Sequence, residues 1–339
     1  MDIVVKPKSV YSHVEEEFDA ATNDVALVDR SSVGRVEVTG ADRLDLLHRL
    51  STNDLIKGTD NRVIGTVLTT EKGRVVDFVQ VLVMPDCLLL LVSPKQEDAL
   101  MRWVEKFTIT EDINLKGVTA STAMYSLLGP QAVAAASKLL MTQAKKNEWV
   151  FAELAKTKVL VSWRDEFLTS MVDIIILGDN KPDLWERISF EARSHGIRTM
   201  ENTAYETFRI SRGIPLAGRE VSEAFNPYEI GLQHMISYTK GCYVGQEVIA
   251  RLNTYQKVQK ELVGIVLDRK PDDNDFPRLM IDGVEIGIVT SVSPVPIRGK
   301  YVGLAVVRRN AITFGVSIPI SSGKGNDARG VLHQFPIKV

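Results

Sequence analysis

The residues best suited to chemistry lie in one run, Lys240-Gly241-Cys242-Tyr243-Val244-Gly245-Gln246-Glu247. It holds one of only two cysteines in a chain of 339 residues. Free cysteine in a protein core behaves as a small hydrophobe, but Cys242 sits between glycines, two residues after a lysine. Glycine permits positive φ and close backbone approach. A nearby ammonium favours the thiolate, the form that attacks electrophiles and binds metals. Cys242 is therefore the candidate functional atom, with Lys240 tuning it and Gly241 and Gly245 shaping its turn. Tyr243 is placed to pack below the loop. Gln246 both donates and accepts, so it can hold the loop or a ligand amide. Glu247 and Arg251 are four apart, in the favourable orientation for a helical ion pair. Three roles for the thiol stay open: metal ligation shared with another protein, thiol exchange, or nucleophilic attack.

The composition, 45% hydrophobic and 25% charged with a net charge of −2, is that of a soluble chain long enough for two or three domains. No basic stripe marks a nucleic-acid partner. The longest apolar stretches, Cys87 to Val92 and Ile174 to Leu177, are strand-sized and too short to span a membrane. The opening residues Met1 to Lys8 lack the apolar core of a secretory signal. Two cysteines make no disulfide framework, and one chain cannot assemble a Cys₄ zinc or iron–sulfur site from them, so no metal ligands are assigned. The expected setting is cytoplasmic and reducing. His13, His48, His195, His234 and His333 show no paired-ligand spacing, and Asp272, Asp273 and Asp275 lack the spacing of a calcium loop.

Several elements must position the cysteine run. Helical spacing predicts helices over 12–22, from Pro94 to about Phe107, and over 131–141, 182–194 and 204–212. Thr39-Gly40-Ala41-Asp42 resembles a capping box opening a helix with Leu44, Leu47 and Leu50 on one face. Strand patterns cover 35–38, 62–70, 74–84, 88–92, 124–128, 158–163 and 170–177. Strand pairs interrupted by helices, without strict βαβ alternation, indicate α+β layers with largely antiparallel sheets. After about Gln259 the strand patterns 261–268, 284–292, 301–307 and 316–320, broken by turn clusters, indicate a small β-barrel or sandwich.

The motif K-G-C-Y-x-G-Q-E followed by Arg251 resembles the signature of the YgfZ-type folate-binding proteins and the related mitochondrial iron–sulfur assembly factors. These share a superfamily with the glycine-cleavage T-protein, an aminomethyltransferase. The resemblance extends through Val25 to Asp29, Val38 to Asp42, Leu50 to Asp54, Thr69 to Asp77, Leu127 to Pro130 and Phe208 to Pro215. It implies an α+β fold with a T-protein-like three-lobed arrangement: two related α+β domains and a C-terminal β-barrel around a central tetrahydrofolate site. In approximate bounds, residues 1–50 with 120–200 would form the first and second lobes, interleaved with 51–119. Residues 201–259 would be the linking signature segment and 260–339 the barrel. The expected partners are folate and iron–sulfur client or assembly proteins.

The chain departs from the T-protein pattern at two positions. In G-G-x-x-D-D the second aspartate is catalytic; the matching Gly73-Arg74-Val75-Val76-Asp77-Phe78 carries Asp77 at the first position and Phe78 at the second. A phenyl ring takes no proton, and a shift of one residue along a strand reverses the facing of a side chain. In L-R-L-E-A-G a glutamate binds the pterin; the matching Phe208-Arg209-Ile210-Ser211-Arg212-Gly213 has Ser211 there. Arg209 keeps its place, and Glu206 is an alternative pterin partner. The leading expectation is a folate-binding accessory protein for iron–sulfur assembly or repair. An aminomethyltransferase is the alternative, which Phe78 and Ser211 disfavour.

Overall fold

A computed structural model describes residues 12–57, 61–178, 183–255, 257–271, 276–321 and 328–339; the Asp272, Asp273, Asp275 turn, Pro182 and most of the turn cluster after Ser321 lie outside them. In chain order the elements are α1 (Ser12–Asn23), β1 (Ala26–Asp29), β2 (Gly34–Thr39), α2 (Arg43–Leu50), β3 (Val63–Thr69), β4 (Val75–Val83), β5 (Leu88–Val92), α3 (Glu97–Glu105), β6 (Asn114–Gly117), β7 (Thr122–Leu128) and α4 (Ala132–Leu140). There follow β8 (Trp149–Leu154), β9 (Thr157–Glu166), β10 (Thr169–Leu177), α5 (Leu184–Ser194), β11 (Arg198–Met200), α6 (Asn202–Arg212), α7 (Gln246–Thr254) and β12 (Lys260–Leu267). The last strands are β13 (Arg278–Ile281), β14 (Val284–Val292), β15 (Tyr301–Arg308), β16 (Ser317–Ser321) and β17 (Ala328–His333).

These build three sheets. One has the order β3-β4-β5-β2-β6, a second β11-β1-β7-β10-β9-β8, and β12-β15-β14-β13-β16-β17 closes into a barrel. Every pairing between these strands is antiparallel except β1 with β11. The architecture is thus α+β with a C-terminal barrel.

Side-chain alternation explains how the first two sheets meet. In β5, Leu88, Leu90 and Val92 pack with α2 and α3, whereas Leu89 and Leu91 face the other sheet. In β10, Val172, Ile174 and Ile176 pack with α4 and α5, whereas Ile175 faces the first sheet. Both sheets are therefore covered on two faces, which is why these strands read as unbroken apolar runs. Leu82, Leu89, Met124, Leu160 and Ile175 form the shared layer between them. Burying such side chains stabilises by roughly 1.5–3 kcal/mol each.

Arg35 of β2 ties the two sheets together. It is fully buried. Its Nε donates to Thr122 Oγ1 (2.6 Å), and its Nη atoms donate to the carbonyls of Val33, Ser31, Thr119 and Thr122. Burial lowers its pKa to about 10, with Glu97 and Asp29 opposing. Carbonyl acceptors replace the water that a buried guanidinium would otherwise lack.

Two helix starts differ from the sequence expectation. Lys95 adopts φ 63° and Gln96 N bonds Ser93 O, so a separate turn precedes α3, which begins at Glu97 and not at Pro94. Asp42 makes no side-chain cap on α2; its carboxylate accepts from Asp112 N at 2.7 Å instead. Strands β1, β6, β8, β11, β13 and β17 go beyond the predicted set. Most are short, and β6 is a largely exposed edge, so their alternation signal is weak.

Arg35→Met removes the donors of four carbonyls, in two buried and two partly buried hydrogen bonds, while keeping bulk. We expect it to lower stability by about 1–3 kcal/mol, read as the urea-unfolding midpoint; an unchanged midpoint would refute the clamp.

Candidate functional site

The layer between the first two sheets changes from apolar to polar at one end. Along β4 the inward positions run Leu82, Gln80, Phe78; along β9 they run Leu160, Ser162, Arg164, Glu166; along β10 they run Ile175, Asp173, Met171. Where this polar end meets α6 the sheets leave a cavity. Its wall includes Asp29, Arg30, Phe78, Gln80, Leu91, Ser93, Met124, Arg164, Glu166, Phe167, Tyr205 and Arg209. About 100 Å³ is open to the centres of water-sized molecules, several times what a single buried water needs.

The one-residue offset between Asp77 and Phe78 has the consequence that alternation dictates. Phe78 lines the cavity, and its ring meets Phe167 edge-on with centroids 6.2 Å apart. Asp77 is 2% exposed and is absent from the wall. Its Oδ1 accepts from Ser93 Oγ (2.6 Å) and Phe78 N (2.9 Å), and its Oδ2 from Ser93 N (3.1 Å). Burial pushes its pKa up to about 6, against those three hydrogen bonds. Asp77 is thus a structural acid holding β4 to the segment after β5.

Two guanidinium groups organise the remaining charge. Arg164 pairs with Asp173 and, at 3.2 Å, with Glu166. Arg209 pairs with Glu206 and lies 3.9 Å from Glu220. Each guanidinium therefore faces two carboxylates. Gln80 Nε2 donates to both oxygens of Glu166, at 3.0 and 2.9 Å. At the mouth Asp29 accepts from Ser31 N (2.8 Å), and the Arg30 guanidinium lies 5.0 Å from the Tyr205 ring centre.

The cysteine loop is elsewhere. Lys240 is 8% exposed, and its ammonium donates to the carbonyls of His48, Ser51 (2.7 Å) and Asn53 (2.9 Å). It thereby caps the C-terminal end of α2, where carbonyls lack helical partners and a cation suits the dipole. Gly245 adopts φ 83°, and a Cβ there would lie 2.6 Å from Thr70 O. That close approach seats the start of α7 on the β3–β4 hairpin, where Thr69 Oγ1 donates to Val244 O at 2.7 Å. Between these two anchors Cys242 is exposed.

The GCVT N-terminal domain family matches residues 6–240. The chain belongs to this family. It is 29% identical over 334 residues to the protein named "Putative transferase At1g60990, chloroplastic" of Arabidopsis thaliana, covering 96% of this chain and 74% of that one. It is 28% identical over 333 residues to an aminomethyltransferase of Moorella thermoacetica, covering 96% and 90%. The crystal structure of the glycine cleavage system aminomethyltransferase T from Bartonella henselae superposes with a TM-score of 0.78 at 15% identity, over 95% of this chain and 89% of that one. The fold is therefore shared with a T-protein.

Within this GCVT-family fold, Phe78 and Arg209 are the two expected ligand residues that line the cavity. Asp77, Glu206, Ser211, Tyr243, Gln246, Arg251 and the proposed chemical pair Cys242 and Lys240 do not. Helix geometry separates Ser211 from the site. Asn202, Tyr205 and Arg209 present one face of α6 to the cavity, and Ser211 is about 200° further round, its hydroxyl donating to Phe208 O at 2.7 Å. Glu206 is engaged by Arg209. Lys240 was expected to tune the thiol, but its three donors are taken by carbonyls. The Tyr243 ring lies against that ammonium, 5.2 Å away. Gln246 Nε2 reaches Gly241 O at 3.5 Å, and Arg251 pairs with Glu247 at 3.4 Å in solvent. Sequence reasoning missed Asp29, Arg30, Gln80, Arg164, Glu166 and Tyr205. The available signal was the polar series Ser162, Arg164, Glu166 on alternate positions of β9, following the apolar run Val159 to Val161.

Two outcomes follow. Lys240→Met should cost about 1–3 kcal/mol and speed exchange of the Val244 amide, which bonds Arg49 O at 3.1 Å; unaltered exchange would contradict the clasp. Asp77 holds its proton more tightly folded than unfolded, so its contribution to stability falls as pH rises from its usual 3.8 to about 6. Asp77→Asn should flatten that part of the stability–pH curve, measured by urea midpoints; a slope equal to wild type would show that Asp77 does not set it.

Proposed function

We propose that this GCVT-family chain is a YgfZ-type accessory protein that binds tetrahydrofolate and serves assembly or repair of iron–sulfur clusters in client proteins. The observation that carries the reading is the facing of Phe78 and Asp77. The cavity wall has an aromatic ring where a T-protein pattern has its acid, and the neighbouring acid is spent on Ser93 and Phe78 N. A ligand site kept without that acid suits binding better than turnover.

The cavity residues fit a reduced pterin. Phe78 and Phe167 offer apolar surfaces to a flat ring, Glu166 offers a carboxylate to an edge rich in N–H donors, and Gln80 Oε1 is buried with no donor among the described residues. Cys242 supplies the second part. It is exposed on a loop anchored at both sides, so a client or assembly protein can reach the sulfur without the chain unfolding. Lys240 acts on it by fixing the loop.

A transferase is the second reading, because Asp29 and Glu166 are carboxylates on the same cavity wall. Turnover with a lipoylated carrier protein and tetrahydrofolate, at a rate comparable to a T-protein, would establish that reading against ours. We expect none. We also expect Cys242→Ser to fold and to bind tetrahydrofolate like wild type, yet to fail to restore iron–sulfur enzyme activity in cells lacking the protein. Full rescue by that variant would remove the role of the sulfur.

A further inference from the structure

We propose that Gln80 and Glu166 form the element of the cavity that reads the ligand, taking an edge with two neighbouring N–H donors of the cyclic-guanidine type, as in a 2-amino-pyrimidin-4-one. The assignment deepens the folate reading above and rests on it for the identity of the ligand.

Gln80 is 5% exposed and lines the cavity. Its amide orientation is fixed by its neighbour: Nε2 donates to both Glu166 oxygens, at 3.0 and 2.9 Å, and a flipped amide would set its oxygen against a carboxylate. The oxygen is thereby turned to the other side, where no described residue donates to it. A buried amide oxygen without a donor is uncommon in native proteins, and a ligand or an ordered water is its usual explanation. Glu166 lies beside it with its side chain 13% exposed. Its other partner, Arg164 Nε at 3.2 Å, is shared with Asp173. One guanidinium thus serves two carboxylates, and the cluster has acceptor capacity and negative charge to spare.

An amide oxygen next to a carboxylate is a pair of adjacent acceptors. Its complement is a pair of adjacent donors on a rigid, planar group, which the 2-amino group and the ring N–H of a pyrimidinone provide. Phe78 and Phe167 flank the same space and suit the plane of such a ring. Gly65 makes room behind the pair. A Cβ there would lie 3.0 Å from Glu166 Oε1, 3.1 Å from Gln80 Nε2 and 3.2 Å from Met235 Cε. This pair would give the cavity a pterin-binding acceptor that does not depend on Ser211.

The test is calorimetric titration of the full chain with tetrahydrofolate, with a reduced pterin fragment, and with the fragment's 2-desamino analogue. We expect Gln80→Leu and Glu166→Gln each to weaken tetrahydrofolate and the fragment by roughly tenfold or more, because a site built around a donor rejects its absence. The analogue should bind wild type weakly and lose nothing further in Gln80→Leu. Its arm on wild type needs no variant to fold. Tetrahydrofolate binding equally to wild type and both variants, with the analogue as good as the fragment, would overturn the acceptor pair and leave the folate reading intact. Binding of the fragment with the expected dependence on Gln80, but none of tetrahydrofolate, would uphold the pair and overturn the folate reading. No binding of any of the three would overturn both.

Discussion

Alternation along the strands between two stacked sheets is the constraint on which the rest of the molecule depends. Residues of one parity in β4, β9 and β10 face helices, and those of the other parity face the opposing sheet. Where the second set is Leu82, Leu160 and Ile175 it packs with Leu89, Leu91 and Met124 into one apolar layer. At one end it becomes Phe78, Gln80, Arg164, Glu166 and Asp173, groups that cannot collapse onto each other as leucines do. The cavity is the physical result. Phe78, Gln80, Arg164 and Glu166 stand on strands, so these groups are held in place by two cores and by the Arg35 clamp.

The same parity separates two adjacent residues into different roles. Phe78 belongs to the cavity. Asp77, one position earlier, belongs to the scaffold, where three hydrogen bonds offset part of the cost of burying its charge. A mutational loss at Asp77 would therefore report on folding before it reported on chemistry. A similar division runs through the cysteine motif. Lys240 and Gly245 are anchors, one closing the end of α2 and the other permitting contact with the β3–β4 hairpin, while Cys242 is left to solvent. Motif residues adjacent in sequence thus serve the fold and the surface in turn, and the motif and the cavity are separate features of one chain.

Much of this was legible in the sequence. The α+β layering, the barrel and the opposed facing of Asp77 and Phe78 follow from periodicity and family pattern, because strand alternation is a local property. Short strands such as β11 and β6 were not legible, since three or four residues carry little alternation and their pairing is set by distant partners. The partner of Lys240 was hidden for the same reason: the carbonyls it meets lie some 190 residues earlier in the chain. Proximity in sequence suggested Cys242, and three-dimensional packing supplied the end of a helix. Glu166 and Gln80 lie on strands 86 residues apart in sequence, and only the stacking of two sheets brings them together. Ser211 lies off this cavity wall, because α6 turns its cavity face through Asn202, Tyr205 and Arg209.

The most direct measurement is a crystal structure of the protein soaked with tetrahydrofolate. The account predicts a pterin ring against Phe78, its donor edge on Gln80 and Glu166, with Asp77 still bonded to Ser93. A ligand bound elsewhere, or an Asp77 carboxylate swung into the cavity to meet the ring, would contradict it.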